Sequence, residues 1–155
     1  MSRKIENKLI ELGIELPDAP SPVANYQPYV ISGSLIFLSG QVTIWNGEMK
    51  YQGKIGRDLT VDQGYDAARM CGLNLIAQVR AACNGDLDRV KQVVKLGAFV
   101  NCVEDFKEHP NVVNGASDLM AEVFGDAGRC TRTNAGVPSL PLGFAVEIDG
   151  VFEIE

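Results

Sequence analysis

At 155 residues, with 46% hydrophobic and 22% charged side chains, the chain has the size and make-up of one globular unit spanning 1–155, and no run approaches the roughly 20 apolar residues that a membrane-spanning helix needs. A formal net charge of −6 repels nucleic-acid phosphates, so neither nucleic acid nor membrane is an expected partner. The one histidine, His109, and four scattered cysteines, Cys71, Cys83, Cys102 and Cys130, exclude a zinc cluster, a histidine-centred triad and a secreted disulfide framework. The thiols are therefore read as reduced core filler, with no metal or cofactor expected. The start, Met1-Ser2-Arg3-Lys4-Ile5-Glu6, is charged where an export signal needs an apolar run, which points to the cytoplasm.

Residues 1–20 read as a helix and a proline-rich lead-in. Ile5, Leu9 and Leu12 form one stripe, Gly13 is placed to end the helix with a positive φ, and Pro17, Pro20 and Pro22 stiffen the stretch after it. From Tyr29 to Val42 two β-rich runs flank Ser32-Gly33-Ser34, which predicts a hairpin. The segment from Trp45 to Arg57 carries Asn46-Gly47, Gly53 and Gly56 and reads as a turn-rich excursion over the surface.

Thr60-Val61-Asp62-Gln63 has the form of a capping box, and Tyr65, Ala68, Gly72, Leu75, Val79 and Ala82 then recur at spacings of three and four. This longest helix presents small residues, which suits close packing against a sheet rather than against bulky helices. Val90 to Val103 predicts a central strand. A second helix follows Pro110, with Val113, Leu119 or Met120, and Val123 as its stripe and Gly125 as its stop. Arg132 to Ala135 and Phe144 to Phe152 read as the last two strands. The order predicts an α+β domain with helices on one face of a mixed sheet, and the uncovered face calls for another copy of the chain.

Two blocks carry a family resemblance. Gly33 to Gln41, ending Phe37-Leu38-Ser39-Gly40-Gln41, resembles the first hairpin of the reactive-intermediate deaminase (Rid, YjgF-like) family, and Leu140-Pro141 with Val146-Glu147-Ile148 resembles its C-terminal strand. The intervals match too: Tyr26 lies 13 residues before Ser39, Arg132 eight before Leu140, and Glu147 15 after Arg132. The N-terminal helix, Asn114-Gly115-Ala116-Ser117-Asp118-Leu119 and Ser139-Leu140-Pro141-Leu142-Gly143 resemble the longer branch of that family. The resemblance covers the chain from about Pro22 to Ile154. It implies a chorismate-mutase-like fold, a homotrimer around a central β-barrel, clefts between subunits, and hydrolysis of 2-aminoacrylate-type enamines and imines to 2-keto acids and ammonia.

A 2-imino acid carries a carboxylate beside an electrophilic carbon, and a guanidinium can hold that anion through two parallel N–H bonds. Arg132 matches the family's residue for this; on its own it would read as a surface arginine in a weak ion pair. Glu147 matches the carboxylate that orients the attacking water, while Asp149, on the same strand face, competes with it on local grounds. Tyr26 matches the tyrosine beside the substrate, and Ser39 a small pocket residue that either meets substrate or bonds backbone. Asn114 resembles a family asparagine on the second helix, with a cap or turn role as the alternative. Asn134 departs from the pattern: it stands where a cysteine is common, and its polar side chain bears on how fast the pocket could deaminate. Arg129 is a further charge nearby. Two other readings stay open: a module that binds a small carboxylic or 2-keto acid without chemistry, and an endoribonuclease or translation inhibitor, against which the acidic charge counts.

Overall fold

The computed structural model describes residues 3–22 and 24–155; Met1 and Ser2 of the charged start, and Val23 within the family-like stretch, lie outside the described residues. Each of the three helices ends for a local chemical reason. Helix α1 (Lys4–Glu11) begins where the amides of Lys4 and Ile5 donate to the Asp88 carboxylate at 3.0 and 2.8 Å. A carboxylate there also meets the positive end of the helix dipole. Gly13, at φ +67°, then turns the chain so that the Ile14 N–H returns to the Leu9 carbonyl. Of the expected stripe, Leu9 is buried and Ile5 packs on the core, whereas Leu12 remains exposed.

Helix α2 (Val61–Ala82) opens on the expected capping box: the Thr60 hydroxyl accepts from the Gln63 amide at 3.1 Å, and the Gln63 side chain accepts from the Thr60 amide at 2.8 Å. Helix α3 (His109–Phe124) has Pro110 in its first turn and stops at Gly125, φ +63°. No helix among the described residues is long and apolar enough to cross a membrane.

Five strands make one sheet: β1 (Tyr29–Ser32), β2 (Leu35–Gln41), β5 (Val90–Asn101), β6 (Thr131–Val137) and β7 (Val146–Ile154), ordered β1-β2-β7-β5-β6. Neighbours are antiparallel except β5 and β6, which run parallel, so the sheet is mixed as expected. Ile36, Leu96, Val100, Val146, Ile148 and Phe152 point under the helices and are fully buried. The opposite face carries the half-exposed Val30, Phe37 and Phe99. A short second hairpin, β3 (Ile44–Trp45) and β4 (Glu48–Met49), turns over Asn46 and Gly47, both at positive φ.

Two expectations need correction. The segment from Trp45 to Arg57 is not wholly a surface excursion, because Ile55 is fully buried and its amide donates to the Asn101 carbonyl at 2.9 Å. The small residues of α2 serve helix–helix contact as well as the sheet. A Cβ on Gly72 would stand 2.9 Å from Leu119 Cδ2, and one on Gly115 of α3 would stand 2.0 Å from the Tyr65 carbonyl oxygen. The two backbones meet at these glycines, so α2 is enclosed on several sides rather than along one stripe. Its polar Asn74 and Gln78 are buried with the rest.

Candidate functional site

Strand alternation assigns the candidate residues to two faces. Arg132 pairs with Leu96, whose side chain is buried beneath the helices, and the guanidinium turns toward α3. There a single nitrogen, Nη1, donates to Asn114 Oδ1 at 2.8 Å and to Ser117 Oγ at 3.1 Å. Both partners are neutral, and none of the ion pairs among the described residues includes Arg132. The guanidinium is half-buried and aimed by two neutral acceptors, and both bonds come from Nη1 rather than from the Nε and Nη2 edge. Asn134 lies two residues further along the same face, opposite Ala98.

Asn114 sits inside α3, so neither a cap nor a turn describes it; its side chain orients Arg132. Ser117 was not singled out for its own role. The signal was present, since residues three apart on a helix share a face, and Ser117 lies three after Asn114.

Glu147 belongs to the other face. It pairs with Phe99 across β7 and β5 and is half-buried. Burial, and then repulsion from Asp149, hold its carboxyl above the ordinary carboxylate range. The side chain lies against Gly40, where a Cβ would come within 2.9 Å of Oε2. Glu147 lines a cleft of about 90 Å³ whose wall also includes Tyr26, Gly40 and Gln41. Asp149 shares the face, but it accepts from the Gly97 amide, feels Lys95, and does not line that cleft. Geometry thus separates two carboxylates that the strand pattern leaves equivalent.

Tyr26 stands at the cleft, about half exposed. Ser39 does not line it, and its hydroxyl donates to the Gln27 carbonyl at 2.6 Å, so the backbone-bonding alternative describes this serine. The side chains of Arg132 and Glu147 lie on opposite faces, with β5 between their strands. One copy therefore does not bring them together. All four cysteines are free, and burial pushes the Cys71, Cys83, Cys102 and Cys130 thiols up, away from the reactive thiolate.

Further lining comes from the proline-rich lead-in, from Pro28, from the strand end after Gln41 and from Pro141, Leu142 and Phe144. Pro20 and Pro22 of the lead-in line it together with Val42 and Ile44. Nothing in the sequence signals that these prolines face a cavity, because their fixed φ speaks only for the chain direction.

A mixed five-stranded sheet covered by helices on one side places the chain among α+β proteins. The family model described as "YjgF/chorismate mutase-like, putative endoribonuclease" matches residues 6–149. The chain belongs to this YjgF/Rid family. It is similar to Protein TCP17 of Trypanosoma cruzi, 46% identical over 99% of this chain and 96% of that protein. It is 46% identical to the protein Atu1372 of Agrobacterium tumefaciens, whose crystal structure matches at a TM-score of 0.91 over 97% of this chain and 92% of that one. A 2-iminobutanoate/2-iminopropanoate deaminase of Dermatophagoides farinae is 29% identical over 92% of this chain and 95% of its own length.

Proposed function

We propose that the chain hydrolyses 2-imino acids, the tautomers of 2-aminoacrylate-type enamines, to 2-keto acids and ammonia, in pockets completed between copies of a cytoplasmic homotrimer. The carrying observation is Arg132: a half-buried guanidinium fixed by Asn114 and Ser117 through Nη1 rather than through its Nε and Nη2 edge. A planar carboxylate is the partner that such an edge fits. The distant relative named as an imine deaminase supports the reaction class.

Arg132 of one copy would hold the substrate carboxylate, and Glu147 of the next would face the imine carbon. Glu147 takes a proton from water as the oxygen attacks C2, and the C=N π pair moves to nitrogen. The same carboxyl returns that proton to nitrogen, giving a carbinolamine; it then takes the hydroxyl proton and passes it to the amino nitrogen as the C–N bond breaks, so that ammonia leaves with its third hydrogen and the O–H pair closes the ketone at C2. Burial raises the proton affinity of Glu147, which suits a group that must both accept and return a proton near neutral pH. Tyr26 would close the pocket beside the substrate.

An enzyme built this way has a distinctive signature. Arg132→Ala and Glu147→Ala each remove one half of every pocket, so each variant alone is inactive in ammonia release from dehydratase-generated 2-aminoacrylate. Co-expressed in equal amounts, they assemble pockets with one intact half from each parent, and activity returns to about a quarter of the wild-type value for random heterologous contacts. No recovery in demonstrably mixed assemblies would overturn the shared pocket. Saturable binding of pyruvate with no turnover by the wild-type protein would instead leave a binding module.

A further inference from the structure

The lead-in that walls the Glu147 cleft is fastened at several points. Leu16 packs on the core and Pro17 is buried. The Asp18 amide donates to Asn46 Oδ1 at 2.8 Å, and Gln78 of α2, only 2% exposed, donates from Nε2 to the Pro20 carbonyl at 2.6 Å. A second stretch of the lining is held from the same helix, where Asn74 Nδ2 donates to the carbonyls of Val42 at 2.8 Å and Ile44 at 2.9 Å. Two buried amides on one helix thus hold two stretches of the cleft lining in place.

Most of the lining is apolar, with Pro20, Pro22, Pro28, Val42, Ile44 and Phe144 among it; Ser21, Tyr26 and Gln41 add neutral polar groups, and among the described residues the only carboxyl on the cleft is that of Glu147. The cavity of about 90 Å³ is a little over half of the roughly 150 Å³ of an apolar cavity that holds benzene, which leaves room for about three or four carbons. The single CH₂ of 2-aminoacrylate would leave most of it empty. A branched side chain of three or four carbons would fill it and displace water from an apolar lining.

We infer that this cavity is a side-chain subsite, and that the preferred substrates are 2-imino acids with branched apolar side chains of about three or four carbons, as derived from valine or leucine. The inference rests on the deaminase reading above. Gln78 is a positioning residue for the subsite: it touches no substrate and acts through the Pro20 carbonyl.

The test compares imines generated by an L-amino-acid oxidase from leucine and from alanine, with the unreacted imine trapped by semicarbazide. The full-length protein should show a kcat/KM at least about tenfold higher for the leucine-derived imine, the least that filling a hydrophobic pocket by a methylene is worth. Val42→Phe fills the cavity and should bring the ratio close to one. Gln78→Met removes the donor at similar volume and should raise KM for the leucine-derived imine with kcat nearly constant. Equal wild-type rates on the two imines, or a preference that survives Val42→Phe, would overturn the subsite and leave the deaminase reading standing. A Gln78→Met variant that shifts kcat and KM alike for both imines overturns the positioning role. If neither imine is consumed, the deaminase reading falls and the subsite with it.

Discussion

Gly40 and Glu147 are matched in space: a Cβ on residue 40 would lie 2.9 Å from Oε2 and 3.0 Å from Cδ of the glutamate. The glycine lies where the pairing of β2 with β7 shifts register between Leu38 and Gln41, and it lets the carboxylate lie flat on the strand backbone. Gly40→Ala forces Glu147 into another rotamer, at a cost of about 0.5–1.5 kcal/mol where the side chain leaves its well. Stability should therefore change little, while imine hydrolysis falls by tenfold or more, because a misplacement of about 1 Å can cost about a hundredfold in rate. A Gly40→Ala protein with full activity would mean that the glutamate need not lie where it does.

The contact between Arg132 and Asn114 makes a second prediction. Asn114→Ala removes the shorter of the two bonds that aim Nη1, leaving Ser117 alone. Loss of a hydrogen bond to a charged group is worth about 1.5–3 kcal/mol, and part of that should appear as weaker carboxylate capture. Calorimetric titration with pyruvate should show affinity reduced about tenfold or more, with an unchanged thermal midpoint to within a few degrees. The double variant Asn114→Ala, Ser117→Ala should lose more than either single variant. Unchanged affinity in the double variant would show that the arginine is not oriented by α3.

Where α2 and α3 touch, Gly115 leaves no room at all. Its Cβ would sit 2.0 Å from the Tyr65 carbonyl oxygen and 3.0 Å from the Arg69 nitrogen, both backbone atoms that cannot swing aside. Gly115→Ala must separate two helices that also share the Tyr65–Asp118 hydrogen bond at 2.7 Å. Overpacking of this kind costs about 1–3 kcal/mol and occasionally more, and denaturant titration should place this variant at or above the top of that range. A variant within about 0.5 kcal/mol of wild type, the usual span of a neutral surface change, would show that the helices are loosely held.

The helix ends and the first hairpin were legible because their causes are local. Thr60 and Gln63 close a box over three residues, and Gly13, Gly33 and Gly125 stand where the chain needs positive φ. The α+β order followed from these marks. The partner of the small face of α2 was not legible, since a run of Ala and Gly states only that something approaches closely. Residue intervals singled out Arg132, Glu147, Tyr26 and Asn114, yet strand alternation across the unseen pairing of β6 with β5 decides which face each one serves. Ser39 and Asp149 show the same limit: a hydroxyl next to a carbonyl and a carboxylate next to an amide are settled by three-dimensional neighbours, Gln27 and Gly97. The lead-in prolines gave no sign of a cavity, because what makes them a wall is Gln78, 58 residues away from Pro20.

Glu147 also fixes a pH dependence. Its folded-state pKa lies above the ordinary value of 4.5, first because burial disfavours the anion and second because Asp149 repels it. The folded protein therefore holds a proton over a window in which the unfolded chain has lost it, so this group destabilises the fold as pH climbs from the ordinary carboxylate range through the raised value. Glu147→Gln should accordingly be more stable than wild type at pH 7, with the gain vanishing once the pH falls below the ordinary carboxylate range. Catalysis runs the other way: a base must be ionised, so kcat/KM should fall as acidity protonates Glu147, along a limb displaced above that of an exposed glutamate. Asp149→Asn removes the repelling charge and should move the limb to lower pH without abolishing the rate. An acid limb that stays in place in Asp149→Asn would leave burial as the cause of the raised value, whereas residual activity in Glu147→Gln with the same acid limb would assign the titration to a different group, and Glu147 would lose its role as the base.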